Sequence, residues 1–288
     1  MKPLVDVLAD ARRRKVAVGH FNFSDLAGFN AIVDAAVELK LPVMVGVSEG
    51  EREFVGVYEA VELVKSAREQ YGLDIYLNAD HTHSLEHAEA AARAGFDEII
   101  FDGSALPFDK NLVETKHAVE VLKTINPKIL IEGEIGYIGS ASAILDKKPD
   151  NMSALSTPEE ARQFVAETKV DVLAPAVGNM HGMLASMVEG KAEKRLDLGR
   201  IAELGKATPA FMTLHGGSGT HDDDFRTAIK NGMSIVHVNT EIRIAWRRGI
   251  EAALKAKPNE VTPYKLLADA VAGIKQIVEA RLKLFNFI

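Results

Sequence analysis

Residues 74–104 read DIYLNADHTHSLEHAEAAARAGFDEIIFDGS. Two short apolar runs, DIYLNAD (74–80) and EIIFDGS (98–104), flank a segment that starts a helix near His83 and His87. Each run is rich in Ile, Leu and Phe and ends on polar residues, as a strand buried on both faces does when it leaves a parallel sheet. Working outward, the same kind of run recurs as KVAVGHFN (15–22), PVMVGVS (42–48), KILIEGE (128–134), DVLAPAVG (171–178), AFMTLHGG (210–217) and SIVHVNT (234–240). Helical patterns lie between them. Residues 25–40 place Leu26, Phe29, Ile32, Val33, Ala36 and Val37 on one face. Thr157-Pro158-Glu159-Glu160 reads as an N-cap, a proline at the first helical position and acids in the first turn.

Eight strand–helix units in 288 residues predict a (β/α)8 barrel, an α/β fold forming one domain over 1–288. Length alone allows about two domains, at roughly 150 residues each. An open doubly wound sheet is the competitor, but Asn22-Phe23-Ser24-Asp25 after the first strand lacks its glycine-rich fingerprint. Residues 136–157, without clear periodicity, are expected to form a lid. Residues 263–284 are expected to form a C-terminal helix whose stripe of Leu266, Leu267, Val271, Ile274, Ile277 and Val278 packs on the barrel or on a partner.

Composition narrows the function. With 47% hydrophobic and 26% charged residues the chain is an ordinary globular one. Zero cysteines exclude disulfides, thiol catalysis and cysteine-held zinc. A net charge of -7, from 34 basic and 41 acidic residues, argues against nucleic acid as a partner. No apolar run reaches membrane length and the N-terminus has no signal-peptide core, so no membrane association and a cytoplasmic location are expected.

The chemistry gathers at the strand ends. In a barrel they share one rim, and that rim is where barrel active sites are built. The ends here are Asn22, Ser48-Glu49, Asp80-His81, Asp102-Gly103-Ser104, Glu132-Gly133-Glu134, Gly178-Asn179 with His181 beyond, His215-Gly216-Gly217-Ser218, and Asn239-Thr240. Loop exit explains Asn, Ser and Gly, but explains three histidines and several carboxylates poorly. His81, His181 and His215 follow three different strands, and three imidazoles converging on a point make a metal site with an open position. Nitrogen ligands favour zinc over magnesium. Of the other histidines, His83 and His87 look solvated, His117 sits among charges, His20 is inside the first strand and His221 precedes three aspartates. His215-Gly216-Gly217-Ser218-Gly219 is a loop whose amides suit an anion, and in barrels the loops after strands seven and eight commonly hold phosphate. Asn239-Thr240 stands where it can complete that site. No lysine offers itself for a Schiff base, because Lys128 starts strand five at the wrong end.

These residues resemble the class II, metal-dependent fructose-bisphosphate aldolases, and more closely the shorter branch that includes tagatose-bisphosphate aldolases. The marks are Phe21-Asn22, Ser48-Glu49-Gly50, Asn78-Ala79-Asp80-His81, Phe101-Asp102-Gly103-Ser104, Glu132-Gly133-Glu134-Ile135-Gly136, Val177-Gly178-Asn179-Met180-His181-Gly182, Leu214-His215-Gly216-Gly217-Ser218-Gly219 and Val238-Asn239-Thr240-Glu241, in that order over nearly the whole chain. The resemblance implies a TIM barrel and reversible cleavage of a ketose 1,6-bisphosphate, first of all fructose 1,6-bisphosphate, to dihydroxyacetone phosphate and glyceraldehyde 3-phosphate. It implies zinc, or another divalent transition metal, on His81, His181 and His215, with Glu134 meeting a displaced metal. Asp80 would be the acid/base on the C4 hydroxyl. Gly182, Gly216, Ser218, Asn239 and Thr240 would bind phosphate, with Asn22 and Ser48 beside the substrate. A monovalent cation, Na⁺ or K⁺, near the phosphate loops and a homodimer or homotetramer are also implied.

Two positions depart from the family pattern. The lid glutamate that exchanges the dihydroxyacetone-phosphate proton falls on Ser142, within Ser140-Ala141-Ser142-Ala143, and the nearest lid acid is Asp146. A substrate-contacting asparagine is replaced by His237, and Met183 to Arg195 is a longer charged stretch than the family's. Three readings stay open: a sugar-bisphosphate aldolase whose lid acid is Asp146 or water, an aldolase of tagatose bisphosphate or a phospho-sugar acid, and a metal-bearing, non-catalytic sugar-phosphate-binding subunit.

Overall fold

A computed structural model describes every residue except Ser140, Asn151 and Ser153. Eight parallel strands close a barrel in sequence order: β1 (Val18–Asn22), β2 (Val43–Val47), β3 (Ile75–Thr82), β4 (Glu98–Phe101), β5 (Leu130–Ile135), β6 (Val172–Pro175), β7 (Phe211–Leu214) and β8 (Met233–Val238). β1 closes on β8 with Val18 beside Ile235 and His20 beside His237. Each predicted run overlaps one barrel strand, three of the strands extending one or two residues past their runs, and the helix read over 25–40 spans Leu26–Leu39. Asp25 caps that helix by accepting from the Gly28 N–H, and Thr157 with Glu160 forms a capping box before Pro158–Thr168.

The core has two apolar parts. One lies between the strands' outward side chains, such as Phe21, Val45 and Ile131, and the helices. The other plugs the bottom of the barrel. Val18, Met44, Tyr76, Leu130, Val172, Phe211 and Ile235 meet Leu4, Val7, Leu8 and Ala11 of an N-terminal helix, Leu4–Arg14. Sealing this end leaves the carboxyl ends of the strands as the open mouth. The layer above the plug is polar. His20 bonds Asn78 at 3.1 Å, and Asn78 donates to Glu98 at 2.9 Å. Gly46 makes room for His20, whose ring stands 2.3 Å from where a Cβ would lie.

The C-terminal helix spans Pro263–Asn286 and lies on the barrel's outside, with Ile274 and Val278 in the core. Gly249, in the helix Thr240–Ala256, permits its approach: a Cβ there would stand 2.4 Å from the Ala270 backbone. The described residues between 136 and 157 run as a loop apart from the two-residue strand Ile144–Leu145, which pairs with Met183–Leu184. Among the described residues no helix is long and apolar enough to cross a membrane.

Candidate functional site

In a regular strand, consecutive side chains point to opposite faces, so Asp80 and His81 would not both reach the mouth. The β3–β4 register shifts between Ala79 and Thr82, and His81 has φ of 41°. This bulge turns both side chains toward the rim, the re-aiming for which bulges are used beside sites. A non-glycine residue at positive φ costs about 1–3 kcal/mol, so the surroundings must hold it. Buried Arg52 does so, donating to the Val47 carbonyl (2.8 Å), the Asp80 carbonyl (3.4 Å) and the Thr82 hydroxyl (3.0 Å).

His81, His181, His215 and Glu134 each offer one ligand atom, all within 4.8 Å of one another. Their donor chemistry fits a divalent transition metal. Nε2 of His81 and Nε2 of His181 are buried with no hydrogen-bond partner among the described residues. His81 Nδ1 is bonded to Asp102 Oδ2 at 2.8 Å, and Asp102 Oδ1 accepts from the Ser104 N–H and hydroxyl. That pairing sets the ring's tautomer and leaves Nε2 for a metal. His215 Nε2 lies 2.6 Å from Glu132, while its Nδ1 faces Glu134 at 2.9 Å and the shared ligand space. Burial lowers the His81 pKa, but the carboxylates of Asp80 and Asp102 outweigh it and raise it to about 9. His181, buried and beside the other two imidazoles, is pushed well below the usual histidine range.

Asp80 is held at its second oxygen. Asn22 Nδ2 donates to Asp80 Oδ2 at 2.8 Å, while Oδ1 has no hydrogen-bond partner among the described residues and faces His237 Nδ1 at 3.7 Å and His81 Nε2 at 3.8 Å. Burial alone would raise the Asp80 pKa; His81, His237 and His20 hold it well below the usual carboxylate range. Asn22 and Ser48 are joined through buried Glu51, whose Oε2 accepts from both at 2.9 Å. Arg243 donates to Glu51 Oε1 at 2.7 Å and to the Ser142 carbonyl at 3.1 Å, tying this cluster to the loop that carries Ser142.

The expected substrate residues meet in one cleft. Asn22, Asp80, His181, Gly182, Gly216, Ser218, Asn239 and Thr240 line it together with Ser142 and His237. Ser48 lines the adjoining cavity of about 370 Å³ with Asp80, His81 and Asp102. Gly216 has φ of 59°, and a Cβ there would lie 2.3 Å from the Met180 carbonyl, so only glycine lets the two loops meet. The N-terminus of the helix Thr240–Ala256 opens on the same cleft, and such ends favour anions. Ser142 faces the cleft, whereas Asp146 is exposed and not among its lining. Ser140 lies outside the described residues.

Several histidines play other parts. His83 and His87 are exposed and bond Glu49, His117 is exposed, and His221 caps the helix Asp222–Lys230. His237 is buried and stacks on His20 at 3.6 Å between ring centres, 4.3 Å from His215. Sequence reading gave no role to Glu51, Arg52, Asp102, Arg243 or Lys194. Asp102 alone carried a signal, standing at a strand end beside Ser104. Lys194 is 4% exposed, with Nζ bonded to three backbone carbonyls. Burial pulls its pKa down to about 7, opposed by the Glu241 carboxylate.

The chain is similar to known proteins over nearly its whole length. The model of the family described as fructose-bisphosphate aldolase class-II matches residues 2–287. The chain is 32% identical over 290 residues to a fructose-bisphosphate aldolase of Staphylococcus aureus, covering 99% of this chain and 98% of that one. It is 31% identical over 290 residues to a 6-phospho-5-dehydro-2-deoxy-D-gluconate aldolase of Shouchella clausii, covering 99% and 94%. Among solved structures, the YdjI aldolase of Escherichia coli K12 superposes with a TM-score of 0.81 at 26% identity, covering 98% of this chain and 96% of that one.

Proposed function

The chain belongs to the class II fructose-bisphosphate aldolase family and is an aldolase, a carbon–carbon lyase; we propose that it is zinc-dependent and cleaves fructose 1,6-bisphosphate reversibly to dihydroxyacetone phosphate and glyceraldehyde 3-phosphate. The observation that carries this reading is the unpartnered Oδ1 of Asp80 beside the two unpartnered histidine nitrogens. His81, His181 and His215 would hold the zinc, with Glu134 able to replace a ligand. Zinc there would supply Lewis-acid polarisation of the ketose oxygens, which stabilises charge as the C3–C4 bond breaks. Asp80 takes the C4 hydroxyl proton through Oδ1, because Asn22 fixes the other oxygen. The C4 oxygen then becomes the aldehyde of the departing fragment, and the C3–C4 electron pair moves toward the ketose carbonyl. Gly182, Gly216, Ser218, Asn239 and Thr240 hold the phosphate through backbone amides and hydroxyls, and Ser48, itself held by Glu51, sits beside the substrate.

Because Asp102 sets the His81 tautomer, Asp102→Ala should weaken metal affinity about 10- to 100-fold. Titration against a competing chelator reads this, and unchanged affinity would remove Asp102 from the account.

A second reading has its own support. Ser142 and His237 line the cleft where the family pattern has a glutamate and an asparagine. Serine has no useful acid or base function near neutral pH. Together these changes favour a related phosphosugar as the preferred substrate, and one relative is named for a phospho-sugar acid. Cleavage of fructose 1,6-bisphosphate, tagatose 1,6-bisphosphate and 6-phospho-5-dehydro-2-deoxygluconate, compared by kcat/KM, decides between them. Highest kcat/KM for fructose 1,6-bisphosphate supports the first reading, and for either other compound the second.

A further inference from the structure

Three backbone carbonyls converge on one buried point beneath the two glycine loops. They belong to Met180, Gly182 and Gly216, and Lys194 Nζ lies 2.7, 2.7 and 2.9 Å from them. Met180 and Gly182 flank His181, and Gly216 follows His215, so one ammonium grips both loops. Carbonyl oxygens gathered in this way repel one another and need a cation. A primary ammonium has three N–H donors for three acceptors, whereas the neutral amine has two. The lysine is itself anchored: its N–H donates to the Gly219 carbonyl at 2.7 Å, and its carbonyl accepts from the His221 N–H. The side chain is thus built into the wall, and it cannot serve as a Schiff-base nucleophile while all three donors face carbonyls.

Backbone carbonyls in a ring are also what K⁺ and Na⁺ take in place of their hydration shells. We propose that Lys194 is a positioning residue that acts as a built-in monovalent cation, fixing the Met180–Gly182 and Gly216 loops so that this protein needs neither Na⁺ nor K⁺. The monovalent ion implied by the sequence resemblance is then replaced by a side chain. The effect on substrate rests on the proposed phosphate site; the replacement of the ion does not.

The test compares the full-length wild type with Lys194→Met, which keeps the chain's bulk and removes the charge. Rates are measured with tetramethylammonium, too large for the carbonyl ring, as the only monovalent cation, and again with KCl or NaCl. The wild type should change less than about twofold. Without the ammonium the three buried carbonyls are left unpaired and the two loops lose their shared anchor, so Lys194→Met should lose at least about tenfold in kcat/KM, mainly through KM. Added KCl should restore part of that loss. Thermal midpoints without substrate give a second readout: KCl should raise that of Lys194→Met above its value in tetramethylammonium chloride, and should not do so for the wild type. Should the variant fail to fold, the wild-type cation response decides alone. Activation or stabilisation of the wild type by K⁺, or a Lys194→Met protein with unchanged KM and no K⁺ response, overturns the proposal. If no phosphosugar is cleaved, the proposed function fails, and the midpoints still test Lys194.

Discussion

Asp80→Ala is expected to keep its metal and lose about 10²- to 10⁴-fold in kcat, the usual contribution of a positioned general base. The carboxylate is already in its base form at neutral pH, because burial is outweighed by His81, His237 and His20. Its free Oδ1 is aimed by the Asn22 bond to Oδ2 and by the bulge that turns β3 at this point. A group that works in the transition state lowers kcat and kcat/KM together when removed. Asp80→Asn is the sharper variant, since it keeps the acceptor for Asn22 and removes only the basicity. Loss of less than about threefold in both variants, with metal content intact, would exclude Asp80 as the base.

His181→Ala is expected to release the metal and to lower kcat/KM by about 10³- to 10⁴-fold. The reasoning is energetic: Lewis-acid stabilisation is worth several kcal/mol, and each ~1.4 kcal/mol is tenfold in rate. Nε2 of His181 is buried without a partner, so the side chain has no evident structural bond to lose at that atom. His117→Ala is the matched control, because His117 is exposed and outside both the ligand group and the cleft. Metal analysis after gel filtration, together with kcat/KM, reads both. Full metal content in His181→Ala would contradict the ligand assignment.

The barrel was legible because its strands are buried on both sides and read as unbroken apolar runs. The rim was legible for a related reason: Asp80, His81, His181 and His215 stand where those runs end. The N-terminal helix Leu4–Arg14 escaped notice, since a short segment before the first strand has no partner visible in the chain. The polar layer of His20, Asn78 and Glu98 escaped because each lies inside an apolar run, and only the closed barrel stacks them. Glu51 and Arg243 are 192 positions apart and meet at 2.7 Å. Lys194 belongs to the charged stretch Met183 to Arg195, and nothing in that stretch signals that the chain folds it under the glycine loops. Expectations about single residues at strand ends needed only local pattern, whereas these contacts depend on loop return.

The departures at Ser142 and His237 now have places. Both line the cleft that holds Asp80, which is why the proposed second reading gives them the choice of sugar. Arg243 bonds both Glu51 and the Ser142 carbonyl, which joins the loop carrying Ser142 to the Asn22 cluster.

The most direct test of the central claim is dihydroxyacetone phosphate release from fructose 1,6-bisphosphate by the purified full-length protein, with bound metal measured on the same sample. The account predicts bound zinc, turnover that disappears on chelation, and recovery when zinc is returned. Undiminished turnover by metal-free protein, or no cleavage of this substrate by zinc-loaded protein, would contradict it.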